Sequence, residues 1–403
     1  MPGCHQYLKE YSEAWTGRIK NTGDMTDPGY EKIIISYKDL DVKLTRKADE
    51  DIQALLDNTV LGTKGGMRHQ LLNIKDKIAT YGDKIRFVSL YKRDRLTGTI
   101  GFCYRKIITA GKYFHSSYLR YFAFMPFFQA ALNSKGFTGR QRPESRPETW
   151  KDKVMAFFRK PQMLDFPGYE RDEKHVVYAY VESMNERSKN FIQQVGFEHI
   201  RTFLTVAFSR YKPVLSDKVS KLQANEEEKM KSLLADFYSG HSFYSDEFSF
   251  SADKFYVLKD DDEIIAGLSA VPSSFKVVDM PGVWGWIFMK VLPYSPVFKR
   301  LFQPEELRFL VFEFVYFKKG WEKSLEVLME SVCASEGYNL GLTWLDDRSE
   351  LYDLLRTRIN MGALNRMLNA KPGLVYANFI NFSDSDKDAF FNNPAFISGF
   401  DFT

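Results

Sequence analysis

The sequence predicts a protein of the α/β class with two tandem domains, each a mixed α+β sheet with helices on its faces. Its 403 residues exceed the roughly 250 to 300 residues at which a single hydrophobic core stops growing. A polar stretch at 213–225, with Pro213 at its start, divides the chain near its middle. The order of strands and helices before this stretch is repeated after it, which indicates a duplication.

In the first half, apolar residues alternate where strands are expected and recur every three or four residues where helices are expected. The predicted strands are 42–45, 86–91, 98–108, 117–124, 175–181 and 202–209, and the predicted helices are 49–57, 67–78 and 186–195. This mixture of strand pairs and helices is typical of a mixed sheet covered by helices.

The second half repeats this order from its first helix to its last strand. Its predicted strands are 255–258, 264–271, 307–317, 341–345 and 374–382, and its predicted helices are 226–238, 321–336 and 351–358. The duplication predicts two separate sheets that superpose, each with a splayed central pair of strands. One continuous sheet would count against it.

Two insertions interrupt the predicted domains. The expected parts are an N-terminal arm at 1–31, a first domain at 32–212 with an insertion at 125–174, a linker at 213–225, and a second domain at 226–403 with an insertion at 280–306. Both insertions combine Trp, Phe, Met and Leu with Lys and Arg. This composition is typical of a peripheral membrane or lipid contact and of an acyl or aromatic pocket. It is equally typical of two segments that bury against each other where the domains meet.

The charge of the chain limits its partners. A net charge of +4 is small for this length, and the sequence therefore does not predict a nucleic-acid-binding protein. The segment 135–160 is an exception, with eight basic and three acidic residues. We expect it to contact an anionic ligand or membrane surface, with an affinity that falls as salt rises.

The cysteines and the N-terminus indicate the compartment. Cys4, Cys103 and Cys333 are far apart and have no histidine pairs beside them, a spacing that fits neither a disulfide framework nor a zinc site. We therefore expect no metal. The first residues lack the apolar core of a signal peptide, and no run reaches the ~20 apolar residues of a spanning helix. These features predict a cytoplasmic protein.

The most specific motif lies at 185–197, between two predicted strands, and reads Asn-Glu-Arg-Ser-Lys-Asn-Phe-Ile-Gln-Gln-Val-Gly-Phe. Asn185 can cap a helix and Gly196 can end it. At matching spacing, the segment resembles the one that follows the fifth strand in GNAT (GCN5-related N-acetyltransferase) proteins. A generic capped helix between strands is the alternative.

The resemblance implies that acetyl-CoA or another acyl-CoA lies between splayed fourth and fifth strands, with its pyrophosphate on amides at the start of the third helix. In the first half, Phe122 and Phe124 lie on the fourth strand, and Asn185 and Ser188 begin the helix after the fifth. Residues 125–129, Met-Pro-Phe-Phe-Gln, stand where the family has a glycine loop. This departure counts against pyrophosphate binding in the first half.

The second half has the better candidate for the pyrophosphate turn. Its implied cofactor-binding residues are Val315, Phe317, Lys318, Lys319, Gly320 and Trp321. The two lysines and the glycine suit an anion at a helix start. Glu322 stands at the position of the family's second glycine, where its charge repels phosphate. An ordinary strand-to-helix turn with solvated lysines is the alternative.

The resemblance also implies a general base near the fourth strand and a Tyr general acid in the helix after the fifth. Glu313 lies in an apolar run, a setting that favours the role of base unless its side chain faces solvent. Tyr352 is the implied acid, one residue out of register, whereas the first half has Ile192 there. His115 and His175 are further candidates for the base, with structural roles as the alternative.

These residues together predict an acyl-CoA-dependent N-acyltransferase. Its acceptor is a primary amine of a small molecule or peptide, bound between the domains. The alternative is a catalytically inactive module that keeps the fold and binds a lipid, a peptide or another partner through its aromatic insertions.

Overall fold

A computed structural model describes residues 20–22, 31–37, 39–125, 154–166, 169–170, 172–247, 250–295, 298–367 and 371–402. The described strands are β1 (Lys20–Thr22), β2 (Glu31–Tyr37), β3 (Leu40–Thr45), β4 (Arg68–Leu71), β5 (Ile85–Lys92), β6 (Arg95–Thr109), β7 (Lys112–Phe124), β8 (His175–Glu182), β9 (Glu198–Ser209), β10 (Val219–Lys221), β11 (Phe255–Asp260), β12 (Glu263–Asp279), β13 (Leu307–Phe317), β14 (Leu340–Asp346) and β15 (Gly373–Ile380). The described α-helices are α1 (Glu50–Asp57), α2 (Ile74–Tyr81), α3 (Glu186–Gln194), α4 (Glu227–Phe237), α5 (Gly282–Lys290), α6 (Ser324–Glu336), α7 (Glu350–Thr357), α8 (Ala363–Met367) and α9 (Asp384–Asn392).

The strands form one continuous sheet in the order β1-β2-β3-β5-β6-β7-β8-β15-β9-β14-β13-β12-β11-β10, and β4 pairs with the end of β12. The expectation of two separate sheets is therefore wrong. The internal order is nevertheless repeated. Three antiparallel pairings followed by one parallel pairing run from β3 to β8 and again from β10 to β14.

The sheet is continuous because the halves exchange their last strands. β15, from the second half, lies between β8 and β9 of the first. β9 in turn lies between β15 and β14 of the second half. Each exchanged strand covers backbone groups that an isolated half would leave unpaired at its edge. A single sheet is thus compatible with a duplication. The expectation that one continuous sheet would count against a duplication was wrong. The predicted domain boundaries stay a prediction.

Local sequence signals explain most helices. Asp49 accepts a hydrogen bond from the Ile52 amide at the start of α1, and Asn185 does the same for Ser188 at the start of α3. The predicted cap at Asn185 is confirmed. The predicted helix at 67–78 is partly wrong, because its first residues form β4 and only its later ones belong to α2. Pairing with β12 outweighs the local helical pattern there.

The described parts of the two insertions pack in separate clusters. Phe157 and Phe158 of the first insertion lie in a cluster with Ile192, whereas Phe288 and Phe302 of the second lie in another. The described residues therefore do not show the insertions buried against each other. Most of the basic segment predicted to bind anions, residues 135–153, lies outside the described residues.

None of the helices within the described ranges is long and apolar enough to cross a membrane.

Candidate functional site

In the second half, β13 and β14 separate after a short parallel pairing. They pair only at Leu310 and Val311 of β13, although both strands continue. Phe314 has a φ of 49°, and Phe314 and Val315 together face one residue of β12. Such a β-bulge bends the strand. The bend leaves an opening between β13 and β14, which we call the second opening because it lies in the second half.

The first half has the same feature. β7 and β8 pair in parallel as far as Leu119. Tyr121 has a φ of 55°, and Tyr121 and Phe122 together face one residue of β6. This bulge forms the first opening. The residue before the bulge is Arg120 in the first half and Glu313 in the second, so the equivalent positions carry opposite charges.

Glu313 does not face solvent. Its side chain is buried, with 4% of the residue exposed, and it lines a small cavity that is open to solvent. Other lining residues are His241, Phe314, Trp344, Asp346 and Phe396. The predicted candidate base is thus placed on the wall of the second opening, among aromatic rings.

The C-terminal segment, residues 393–402, occupies part of the second opening. Ser398 Oγ donates a hydrogen bond to Glu313 Oε1 at 2.7 Å. Gly399 packs so closely that an added Cβ would lie 2.6 Å from Val311 Cγ1. The space between the splayed strands, where the GNAT resemblance places acyl-CoA, is therefore partly filled by the protein itself.

Asp401 connects the same segment to the first half. Its carboxylate pairs with Arg105 at 2.5 Å, and both side chains are buried. It also accepts a hydrogen bond from the Tyr81 hydroxyl at 3.3 Å, which accepts one from Arg120 at 3.2 Å. The C-terminal segment thus reaches the edge of one opening through Asp401 and of the other through Ser398.

Lys77, on α2, lies between the two openings. Only 9% of the residue is exposed, and its Nζ donates to Ser273 Oγ at 3.1 Å. Burial, followed by the Arg120 guanidinium, lowers the pKa of Lys77 from 10.5 to about 6, and the Glu313 carboxylate opposes this shift. Tyr81, on the same helix, accepts a hydrogen bond from Arg120 of the first opening, whereas Lys77 donates to Ser273 on β12 of the second half. The edges of the two openings thus meet at α2.

The lowered pKa of Lys77 predicts a pH dependence of stability. Unfolded lysine keeps its proton up to about pH 10.4, whereas folded Lys77 loses it near 6. Between these values the unfolded state binds one more proton, so the free energy of unfolding rises with pH by about 1.4 kcal/mol per pH unit. In urea titrations between about pH 7 and 9, Lys77→Met should lower this slope by about that amount.

Lys75→Met, on the exposed side of the same helix, is the matched control for this measurement and should leave the slope unchanged. An unchanged slope in Lys77→Met would mean that Lys77 keeps its proton in the folded protein.

The predicted pyrophosphate turn of the second half already holds an anion. Gly320 has a φ of 91°, and its amide donates to Glu322 Oε1 at 2.9 Å. This hydrogen bond lowers the pKa of Glu322. Lys318 pairs with Glu263 at 2.6 Å, and Trp321 is 41% exposed. The arrangement weighs against phosphate at this turn, and the binding roles of its residues stay predictions.

The predicted cofactor residues of the first half border the first opening. Phe122 is 43% exposed, and its ring centroid lies 4.9 Å from that of Phe124 and 5.6 Å from that of Phe191 on α3. Asn185 Oδ1 accepts a hydrogen bond from the Ser188 amide at 3.0 Å. The residues at 126–129, predicted to lack the glycine loop, lie outside the described residues.

The other predicted catalytic side chains lie elsewhere. Tyr352 is not among the residues that line the cavity beside Glu313; it is partly buried and packs against a separate apolar cluster, to which Leu354 and Leu355 belong. The predicted acid and base are therefore not brought together there. His175 is buried and bonded to Ser117, and burial lowers its pKa to about 3. This environment fits the structural alternative for His175.

Several residues of the site were not predicted, among them Lys77, Arg120, His241, Ser398 and Asp401. Arg120 shows the same signal as Glu313, a charge within an apolar strand, and could have been found by it. Lys77 lies at helical spacing with the apolar Ile74, Ile78 and Tyr81, so its place on the buried stripe of α2 could have marked it, whereas Lys75 lies off that stripe. His241 lies in a loop, and burial lowers its pKa.

Of the comparisons with known proteins, the one with solved structures agrees with this architecture. No protein-family model and no curated protein sequence matches the chain. Among solved structures, Saccharomyces cerevisiae N-myristoyltransferase with bound myristoyl-CoA and inhibitors is similar at a TM-score of 0.54 and 10% identity, over 98% of this chain and 97% of that one. The same enzyme with bound myristoyl-CoA aligns at 0.50 and 12% identity, over 93% and 92%. The chain has a tandem GNAT-like fold.

Proposed function

We propose that this protein is an acyl-CoA-dependent N-acyltransferase that acts on a primary amine of a small molecule or peptide. The observation that supports it most is that the two bulged openings converge on one buried cluster, which we call the seam: Lys77, Arg120, Glu313, Ser398 and Asp401. The fold adds support, since the similar solved structures are of an N-myristoyltransferase with bound myristoyl-CoA. That this chain also binds an acyl-CoA is inferred from those structures and is part of the proposal.

We place the thioester in the first opening and the acceptor amine at the second. In the second opening, Gly399 and Ser398 fill space between the strands, and Glu322 occupies the turn amide. In the first, the exposed Phe122 and its neighbour Phe191 offer an apolar wall for a pantetheine arm or acyl chain. The turn at 318–321 stays the alternative pyrophosphate site.

The reaction then follows from the charges at the seam. Glu313 takes a proton from the acceptor ammonium, and the neutral nitrogen attacks the thioester carbonyl carbon. A C–N bond forms and the C–S bond breaks, so that CoA leaves as a thiolate. The new amide nitrogen loses its second proton to solvent, and the thiolate takes one up from solvent to become the CoA thiol. Lys77, largely neutral at pH 7 because its pKa is about 6, can take the proton on from Glu313.

Binding of CoA thioesters tests the proposal directly. Isothermal titration with acetyl-CoA and long-chain acyl-CoA should show binding to the wild type. Phe122→Asp should weaken it about tenfold or more, because a carboxylate replaces an apolar wall next to an anionic ligand. Tyr113→Asp, at the far end of β7 and 74% exposed, is the matched control and should bind as the wild type does.

Variants of the second half decide which opening holds the cofactor. If pyrophosphate binds at 318–321 instead, Lys318→Glu combined with Lys319→Glu should weaken binding and Glu322→Gly should strengthen it. With the cofactor in the first opening, neither variant changes the affinity. Failure of the wild type to bind every thioester would favour the inactive binding module, an outcome consistent with the filled second opening.

A further inference from the structure

A surface of the second half exposes large apolar side chains beside α5. Val283 is 76% exposed, Trp286 61%, Val291 42% and Tyr294 84%. We call these four residues the α5 patch. Folded monomers rarely leave so many large apolar groups together in water unless something binds them. The patch lies in the insertion between β12 and β13.

The opposite face of α5 explains why this exposure is stable. Gly285, Phe288 and Leu292 are buried and follow one another at helical spacing. The Phe288 ring lies 4.9 Å from Phe302, and an added Cβ on Gly285 would lie 2.0 Å from the Met280 carbonyl oxygen. The helix is therefore held against the protein by one face. Val283 and Trp286 project from the other face, three residues apart.

Basic residues border the α5 patch. Lys290 follows Trp286 by four residues and lies on the same side of the helix, and Lys299 and Arg300 follow in the chain; all three are exposed. Neither Lys290 nor Lys299 forms an ion pair within the described ranges. Arg300 contacts the ring of Tyr211 at 5.9 Å. Within the described ranges, Lys290 and Lys299 thus give the border of the patch positive charge that no ion pair neutralises.

We propose that the α5 patch is a docking surface for an anionic membrane. Trp and Tyr favour the interface between headgroups and acyl chains because their rings are apolar with one polar atom. The helix lies along the protein surface with its apolar face outward, which is the geometry of an interfacial helix. Lys290, Lys299 and Arg300 then meet the negative headgroups around the inserted rings. This surface is independent of the proposed acyl transfer.

Vesicle co-sedimentation tests the membrane surface. Vesicles of phosphatidylcholine with about one third phosphatidylserine should bind the full chain at low salt, and binding should fall several-fold at about 0.5 M salt. Vesicles of phosphatidylcholine alone should bind much less. The double variant Trp286→Ala with Tyr294→Ala should lose about tenfold or more in partitioning, since two inserted rings are removed.

Tyr113→Ala is the matched control, because Tyr113 is as exposed as the patch residues (74%) but lies on β7. It should bind vesicles as the wild type does. Circular dichroism confirms that the variants fold. Equal loss in Tyr113→Ala, retained binding in the double variant, or no binding by the wild type would each overturn the proposal. So would a concentration-dependent dimer that only the patch variants abolish, since a second copy would then cover the patch.

Discussion

Replacing Glu313 by Gln should reduce the rate of acyl transfer at least about 100-fold, the usual contribution of a general base. Glutamine keeps the shape of the side chain and can still accept from Ser398, but it cannot take a proton from the acceptor ammonium. Affinity for the CoA thioester should stay as in the wild type, because the thioester is placed in the other opening. Release of the CoA thiol, measured with a thiol reagent, reports the rate.

Two further variants test whether the loss of rate is specific to the Glu313 carboxylate. Glu306→Gln, at an exposed carboxylate just before β13, is the matched control and should keep full activity. Lys77→Met should lower the rate less than Glu313→Gln, because Lys77 acts after the first proton transfer. If Glu313→Gln retains the wild-type rate while its fold is unchanged, the carboxylate has only a structural role beside the C-terminal segment.

The sequence predicted the strands and helices themselves better than it predicted which strands lie next to each other in the sheet. The long apolar run over 307–317 predicted β13 correctly, and the cap at Asn185 predicted α3, because both signals are local. The exchange of β9 and β15 was not predicted, since the strand pattern of 374–380 is the same whichever strand lies beside it. Strand pairing between distant segments is a property of the whole sheet. The first part of the helix predicted at 67–78 was wrong for the same reason, because residues 68–71 pair with β12.

The same holds for the site: residues marked by their neighbours in sequence were predicted, and residues brought in from distant parts of the chain were not. Glu313 was found because a charge within Phe-Glu-Phe is unusual on any strand. The bulges at Tyr121 and Phe314 have no residue signature, because both positions have a positive φ without glycine. Asp401 and Ser398 become part of the site only because the end of the chain folds back onto both halves. Such contacts cannot be derived from spacing along the chain.

Removal of the Asp346 carboxylate should destabilise the protein by about 3 to 5 kcal/mol, the usual result of breaking a buried ion pair. Arg201 on β9 donates two hydrogen bonds to Asp346 on β14, at 2.6 and 2.5 Å, and the exposed fractions of the two side chains are 1% and 0%. The Ala395 amide also donates to Asp346, at 2.8 Å. In Asp346→Ala the guanidinium stays buried without its counter-charge. Urea denaturation measures the loss.

The loss of stability should be specific to the Asp346 carboxylate. The Arg201–Asp346 ion pair joins β9, an exchanged strand of the first half, to β14 of the second half, and Asp346 also binds the C-terminal segment. Asp347→Ala, one residue further and exposed, is the matched control and should change the free energy of unfolding by no more than about 0.5 kcal/mol. Combining Asp346→Leu with Arg201→Met should recover much of the loss, since no charge is then left buried. A loss below about 1 kcal/mol in Asp346→Ala would mean that water reaches Arg201, and that this ion pair contributes little to holding the two halves together.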